Sequence, residues 1–183
     1  MILTFVDGAE WESWLEHHHA TESEAWLRIA KRRSPVPGIS ISAALDGALC
    51  FGWIDGQRRA NDADSFLQRY SPRRPRSSWS KINVTRFEIL EREGRVRPAG
   101  ATEAAAARAD GRWAAAYESQ RTATVPDDLS AELVAHPRAL VAFDRLDRTS
   151  RYAVILDLLR ARTPQRRRAL LSRHIARLES AEE

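Results

Sequence analysis

At 183 residues the chain has room for one generous core and is short for two domains that are each stable alone, so a single folding unit over 1–183 is expected. Hydrophobic residues make up 43% and charged residues 30%. That balance excludes a disordered chain, and no apolar run approaches the roughly 18 residues of a spanning helix. The net charge of +4 permits an acidic partner, yet all but Lys31 and Lys81 of the 29 basic residues are arginine; a GC-rich genome accounts for that bias, and the sequence pI near 9.8 partly reflects arginine's high pKa.

A single cysteine, Cys50, excludes an intrachain disulfide framework and a multi-cysteine metal site and fits a reducing compartment. The opening residues place acids and tryptophans where a signal peptide needs a basic and then an apolar stretch, so a cytoplasmic setting is expected.

In chain order, residues 2–6 are rich in strand formers and predict a short strand. Asp7 with Glu10 three residues on gives a capping-box pattern ahead of Trp11, Trp14 and Leu15, predicting a helix to about His18. Residues 26–31 alternate as a half-buried strand until Ser-Pro-Val-Pro-Gly at 34–38 breaks it. Ser40 caps a second helix whose Ile41, Ala44, Leu45, Ala48 and Leu49 recur on one face, ending near Gly52. Residues 57–60 and 65–70, joined by Asn-Asp-Ala-Asp, read as a β-hairpin. No strand is required thereafter.

From Ser77 or Ser78, either of which can cap, a helix is predicted through Glu93; Pro98 opens another that Gly111 closes, and residues 113–117 add a turn. Residues 121–126 read as a linker before helices over 127–135, 137–146, 149–160 and 164–178. The expected fold class is therefore α+β: about four mostly antiparallel strands with helices over 1–76, a helical middle over 77–120 and a helical end over 121–183.

One cluster concentrates charge, aromatics and hydroxyls: Trp53, Asp55, Arg58, Arg69, Ser71, Arg73, Arg74, Ser77, Trp79 and Lys81. A hairpin brings Arg58 and Arg69 onto one sheet region, and the Pro-stiffened loop at 71–78 carries guanidinium groups to the start of a helix. Arginine forks and free backbone N–H groups bind phosphate or carboxylate, and Trp53 and Trp79 offer a stacking wall. The competing reading makes the tryptophans core residues and the arginines a solvated loop. An acidic metabolite or protein is the expected partner. Nucleic acid is admitted by charge but has no RRM, KH or zinc-finger motif behind it.

No dyad or triad spacing assigns a catalytic residue, so an enzyme with Asp55 as base is the third alternative, behind a binding protein. Cys50 lies near a helix C-terminus, where the dipole disfavours a thiolate, and reads as a small buried residue. His17, His18 and His19 are adjacent on a helix and do not converge on a metal. No cofactor or metal is expected. The helix at 164–178 is basic and amphipathic, which suits an anionic surface or, more simply, a core helix with a solvated back. Oligomeric state is left open by the sequence.

Residues 48–56, Ala-Leu-Cys-Phe-Gly-Trp-Ile-Asp-Gly, followed by Phe-Leu-Gln-Arg-Tyr-Ser-Pro-Arg at 66–73, Ser-Trp-Ser-Lys-Ile-Asn at 78–83, Pro-Ala-Gly at 98–100 and Asp-Gly-Arg-Trp at 110–113, resemble the YdeI/OmpD-associated, or bacteriocin-protection, family. The resemblance extends as element order over roughly 10–178. It implies an association with bacteriocin protection, porins or antimicrobial-peptide resistance, and no reaction. Some descriptions of that family imply a periplasmic setting, from which the expected cytoplasmic one departs.

Overall fold

A computed structural model describes residues 2–118, 120, 122–161 and 163–180. The chain divides into two compact units, Met1–Ala116 and Tyr117–Glu183. The expected linker begins at Arg121, which lies outside the described residues; the first unit ends at Ala116.

The first unit holds β1 (Ile2–Leu3), α1 (Gly8–His18), β2 (Ala25–Ala30), α2 (Ile41–Cys50), β3 (Trp53–Ala60), β4 (Ser65–Pro72), α3 (Lys81–Arg92) and α4 (Pro98–Ala109). The sheet order is β1-β2-β4-β3, with β1 parallel to β2 and the remaining pairs antiparallel. Asp7 starts α1 by accepting the Glu10 N–H at 3.0 Å, as the capping-box pattern predicts, while the Glu10 carboxylate accepts Val6 N–H at 2.8 Å, one residue before the Asp7 N–H that pattern would use. Ser40 caps α2 by accepting from Ala43 N–H. In β2 the alternation puts Ala25, Leu27 and Ile29 in the core and leaves Trp26, Arg28 and Ala30 half-buried on the other face.

The core of this unit joins Trp11 and Leu15 of α1, Ala44, Ala48 and Leu49 of α2, the inner face of β2, and Trp53, Tyr70, Trp79 and Phe87. Trp11 stacks on Trp14 at 5.2 Å, and both meet Trp53 edge-on at 6.2 and 6.1 Å. Such packing tolerates no added volume. A Cβ on Gly47 would lie 2.6 Å from the Trp11 ring, and one on Gly100 would lie 2.3 Å from the Cys50 carbonyl oxygen, so α2 meets both α1 and α4 at glycine.

Two expectations shift. The third helix begins at Lys81, not at Ser77 or Ser78, and its cap is Ser80, which accepts from Asn83 N–H at 3.2 Å. Trp79 is buried and Arg76 has φ of 64°, so residues 73–79 form a folded-in turn that a helix cannot continue. The hairpin is also longer than expected, because β3 starts at Trp53 and β4 runs to Pro72. Asp62 closes it by accepting from Asp64 N–H and Ser65 N–H.

The second unit is helical: α5 (Asp127–Ala135), α6 (Pro137–Arg145), α7 (Arg148–Leu159) and α8 (Pro164–Ser180). Leu129, Leu133, Ala139, Phe143, Val154, Leu158, Leu170, Ile175 and Leu178 form its own core. Arg167 ties α8 to α5 by donating to both Asp128 oxygens at 2.6 and 2.8 Å, and to α7 through Leu158 O at 2.8 Å. All four strands lie N-terminal, with α1 and α2 among them, and only helices follow β4, so the fold is α+β as expected. Among the described residues no helix is long and apolar enough to cross a membrane.

Candidate functional site

The hairpin sorts the expected cluster into parts. Asp55 pairs with Tyr70 and Arg58 with Gln68, one residue out of step. In the unbroken register Arg58 would face Leu67 and share the side of Arg69. The extra residue at 56–57 is a β-bulge that puts Arg58 on the inner side and Arg59 on the outer. Buried Gln68 holds the bulge, donating to Gly56 O at 3.0 Å and Gln57 O at 3.2 Å. Arg58 and Arg69 therefore point to opposite faces, contrary to the expected shared site.

Each of these arginines is engaged within the fold. On the outer face Arg69 donates to Glu24 at 2.6 Å, and that contact with the guanidinium lowers the Glu24 pKa. Arg59 lies over the Trp26 ring at 4.3 Å. Arg58, inside, lies over Phe66 at 4.3 Å and donates to Gln68 at 3.2 Å. Ser71 pairs with Ile54 and is on the outer side with Arg69.

The tryptophans belong to the core, which corrects the expected stacking wall. Trp53 is fully buried and its indole N–H donates to His19 O at 3.2 Å; Trp79 is 1% exposed. Arg73, buried at 6%, lies over Trp79 at 3.6 Å and donates to Ser77 Oγ and Ser78 O at 3.5 and 3.4 Å. Arg112 donates to Ser77 O at 2.9 Å and is itself held by Asp110. Ser77 N–H closes the turn on Arg74 O at 3.0 Å. The segment 73–78 is thus clamped from inside by two guanidinium groups, and its own surface presents Arg74 and Arg76, both exposed.

Neither Arg74 nor Arg76 has a side-chain hydrogen bond or ion pair among the described residues. The sequence reading included Arg74 and missed Arg76. A non-glycine residue at positive φ costs about 1 kcal/mol and persists only where its surroundings impose it.

Asp55 faces Tyr70 across the hairpin. The residue is exposed overall, yet protein crowds its carboxyl: desolvation raises its pKa, opposed by its own backbone and by the charges of Arg73 and Arg58. Burial also raises the Tyr70 pKa, with Asp55 adding to it. The Tyr70 hydroxyl and the Trp79 indole N–H are buried without a hydrogen-bond partner among the described residues. The Cys50 thiol is buried and its pKa is pushed up to about 12, chiefly by desolvation, which leaves it protonated and a poor nucleophile.

Lys81, the last of the expected residues, lines a groove of about 550 Å³ along α3 with Asp46, Ile82, Thr85, Arg86, Ile89 and Arg95. Arg86 grips Asp46 through two nitrogens, and Arg95 donates to Glu12 at 2.6 Å. The sequence held the signal for this groove in Ile82 and Ile89, seven residues apart on α3. Among the described residues no group of histidines, cysteines and carboxylates could hold a metal ion.

No curated protein and no solved structure matches the chain. Residues 122–180 match the family described as Bacteriocin-protection, YdeI or OmpD-Associated, the family the sequence resembles. The match covers the C-terminal helices, whereas the motifs at 48–113 that carry the resemblance lie outside it. Residues 3–103, more than half of the chain, match another description, and by that match the chain belongs to the family described as Domain of unknown function (DUF8412).

Proposed function

We propose that this chain is a binding protein rather than an enzyme, and that the clamped turn at 73–78 engages an anionic group, a carboxylate or phosphate, on a small molecule or protein. One observation carries the reading: Arg74 and Arg76 reach solvent unpaired from a turn that Arg73 and Arg112 fix from inside. The fixed backbone places both arginines on one short turn, and unpaired guanidinium groups present donors in the geometry of an oxyanion with no carboxylate to displace. Trp53, Trp79 and Arg73 then support the site from within, while Asp55, Arg58, Arg69, Ser71 and Ser77 shape the hairpin and turn.

The description matched by residues 122–180 supports a role in protection against bacteriocins or antimicrobial peptides. A cytoplasmic setting accords with the buried free thiol of Cys50. Nucleic acid is the second reading, favoured by Arg166, Arg173 and Arg177, which recur at i, i+7 and i+11 along the exposed side of α8.

The test is thermal stability of the purified protein in citrate, inorganic phosphate, ATP and single-stranded oligonucleotides. Ligand at 100 times its Kd stabilises by about 2.7 kcal/mol. The proposal predicts a shift that the double variant Arg74→Ala/Arg76→Ala loses while keeping its unliganded melting temperature. A shift retained in that variant refutes it; one confined to oligonucleotides, steeply salt-dependent and lost on Arg166→Ala/Arg177→Ala, selects the second reading.

A further inference from the structure

β3 stands at one end of the sheet order β1-β2-β4-β3, so one of its two backbone edges has no strand beside it. The opposite edge of the sheet belongs to β1, which is only two residues long. In β3, Trp53 is buried and Ile54 half-buried, and every residue from Asp55 to Ala60 is exposed.

Two hydrogen bonds fix which backbone groups face that open edge. Lys31 N–H donates to Asp64 O at 2.8 Å and continues the register of β2 with β4, so Phe66, Gln68 and Tyr70 direct their backbone groups to β2, while Leu67 and Ser71 direct theirs to β3. Arg73 N–H, donating to Gly52 O at 3.0 Å, sets the same phase from the other end. Leu67 and Ser71 pair with Arg59 and Ile54, which leaves the N–H and C=O of Arg58 and Ala60, and the C=O of Asp55, directed outward. Among the described residues no backbone hydrogen bond from another element reaches them.

An open ladder of this kind accepts one shape of partner, an extended chain. We propose that an acidic, extended segment of another protein adds to β3 as a fifth strand, with one of its carboxylate side chains held by Arg74 and Arg76; this rests on the reading of the clamped turn as an anion site. Pro72 pairs with Trp53, so the turn at 73–78 leaves the hairpin at the Trp53 end of the edge. From Asp55 to Trp53 is two residues, roughly 7 Å along a strand, a separation that an arginine side chain bridges. Both arginines are exposed, and the incoming side chain supplies the carboxylate they lack among the described residues. The bulge at Gly56 and Gln57 argues for a flexible segment over the edge of a second folded sheet. A bulge sharpens the local twist and hinders pairing with a preformed strand, whereas a loose chain follows it and is held on either side, at Asp55 and at Arg58 and Ala60.

Fluorescence anisotropy of a labelled heptapeptide, valine and threonine alternating between terminal glutamates, tests this on the full chain. Ala60→Pro removes one outward N–H, obstructs the edge and leaves the bonds between β3 and β4 in place. Saturable binding is expected, weakened at least tenfold by Ala60→Pro, by Arg74→Ala/Arg76→Ala, by N-methylation of the three central peptide amides, and by lysine in place of both glutamates. Should Ala60→Pro lower the melting temperature, the N-methylated peptide decides alone. No saturable binding overturns the proposal, and the anion site survives that result if citrate or phosphate still stabilises the protein through Arg74 and Arg76. Binding indifferent to N-methylation overturns the added strand. Binding that needs the peptide amides but ignores the arginine double variant overturns the carboxylate contact. A wild type that dimerises in sedimentation equilibrium, and loses the dimer on Ala60→Pro, overturns the acidic segment in favour of a second copy.

Discussion

Gly100→Ala is the sharpest perturbation of the first unit, because two physical rules assign it opposite signs. Helix propensity alone predicts a gain of up to about 1 kcal/mol for replacing a helical glycine with alanine. The added Cβ, however, would lie 2.3 Å from the Cys50 carbonyl oxygen and 2.8 Å from both the Cys50 carbonyl carbon and the Leu49 oxygen. These are backbone atoms at the end of α2 and cannot rotate away. Relief requires α4 to withdraw by roughly 1 Å, which strains the Arg97 N–H bond to that same Cys50 oxygen, 3.0 Å long. Overpacking costs about 1–3 kcal/mol and a weakened hydrogen bond about 1 more, so the net expectation is a loss of about 2 kcal/mol. All six tryptophans lie between Trp11 and Trp113, so fluorescence during urea unfolding reports this unit alone. With a slope of about 1–3 kcal/mol per molar urea, the midpoint should fall by roughly 1 M at constant slope. A variant as stable as wild type, or more so, would show that the two helices are not pinned at Gly100.

Arg76→Gly should leave the first unit as stable as wild type or stabilise it by up to about 1 kcal/mol in the same assay, because glycine adopts φ of 64° without the steric cost; a clear loss would mean the Arg76 side chain holds the turn. In the second unit, Arg167 lowers the Asp128 pKa through a direct hydrogen-bonded pair. A depressed folded pKa contributes stability above the unfolded carboxylate value near 4 that is lost as pH falls through the folded value. Both groups are about a third exposed, so the increment is under about 1 kcal/mol. Far-UV circular dichroism of Arg167→Ala between pH 5 and 2 should show that part of the acid dependence gone.

The helices were legible because their punctuation is local. Asp7 with Glu10, Ser40, Pro98, Pro137 and Pro164 mark starts within a residue of where the structure puts them. The start of α3 was not, since Ser77, Ser78 and Ser80 are equally good caps by type, and only the burial of Trp79 beneath Arg73 selects the last. The candidate site was half legible. That residues 71–78 form an arginine-bearing turn follows from composition. Which arginines stay free depends on partners far away: Glu24 lies 45 residues from Arg69, and Arg112 lies 35 from Ser77. Trp53 and Trp79 could equally have been wall or core by residue type, and their pairing with Trp11 and Arg73 decides it.

The bulge at Gly56 and Gln57 gives β3 one residue more than its partner strand needs. Two residues there stand opposite Arg69 alone, so losing one of them would restore a regular ladder with Arg58 still opposite Gln68 and Arg59 still opposite Leu67. Arg58 would stay on the inner face, opposite to Arg28 and Arg69. Over evolutionary time β3 can therefore lose that residue while each face of the sheet keeps its charges, a change in length that the pairing absorbs.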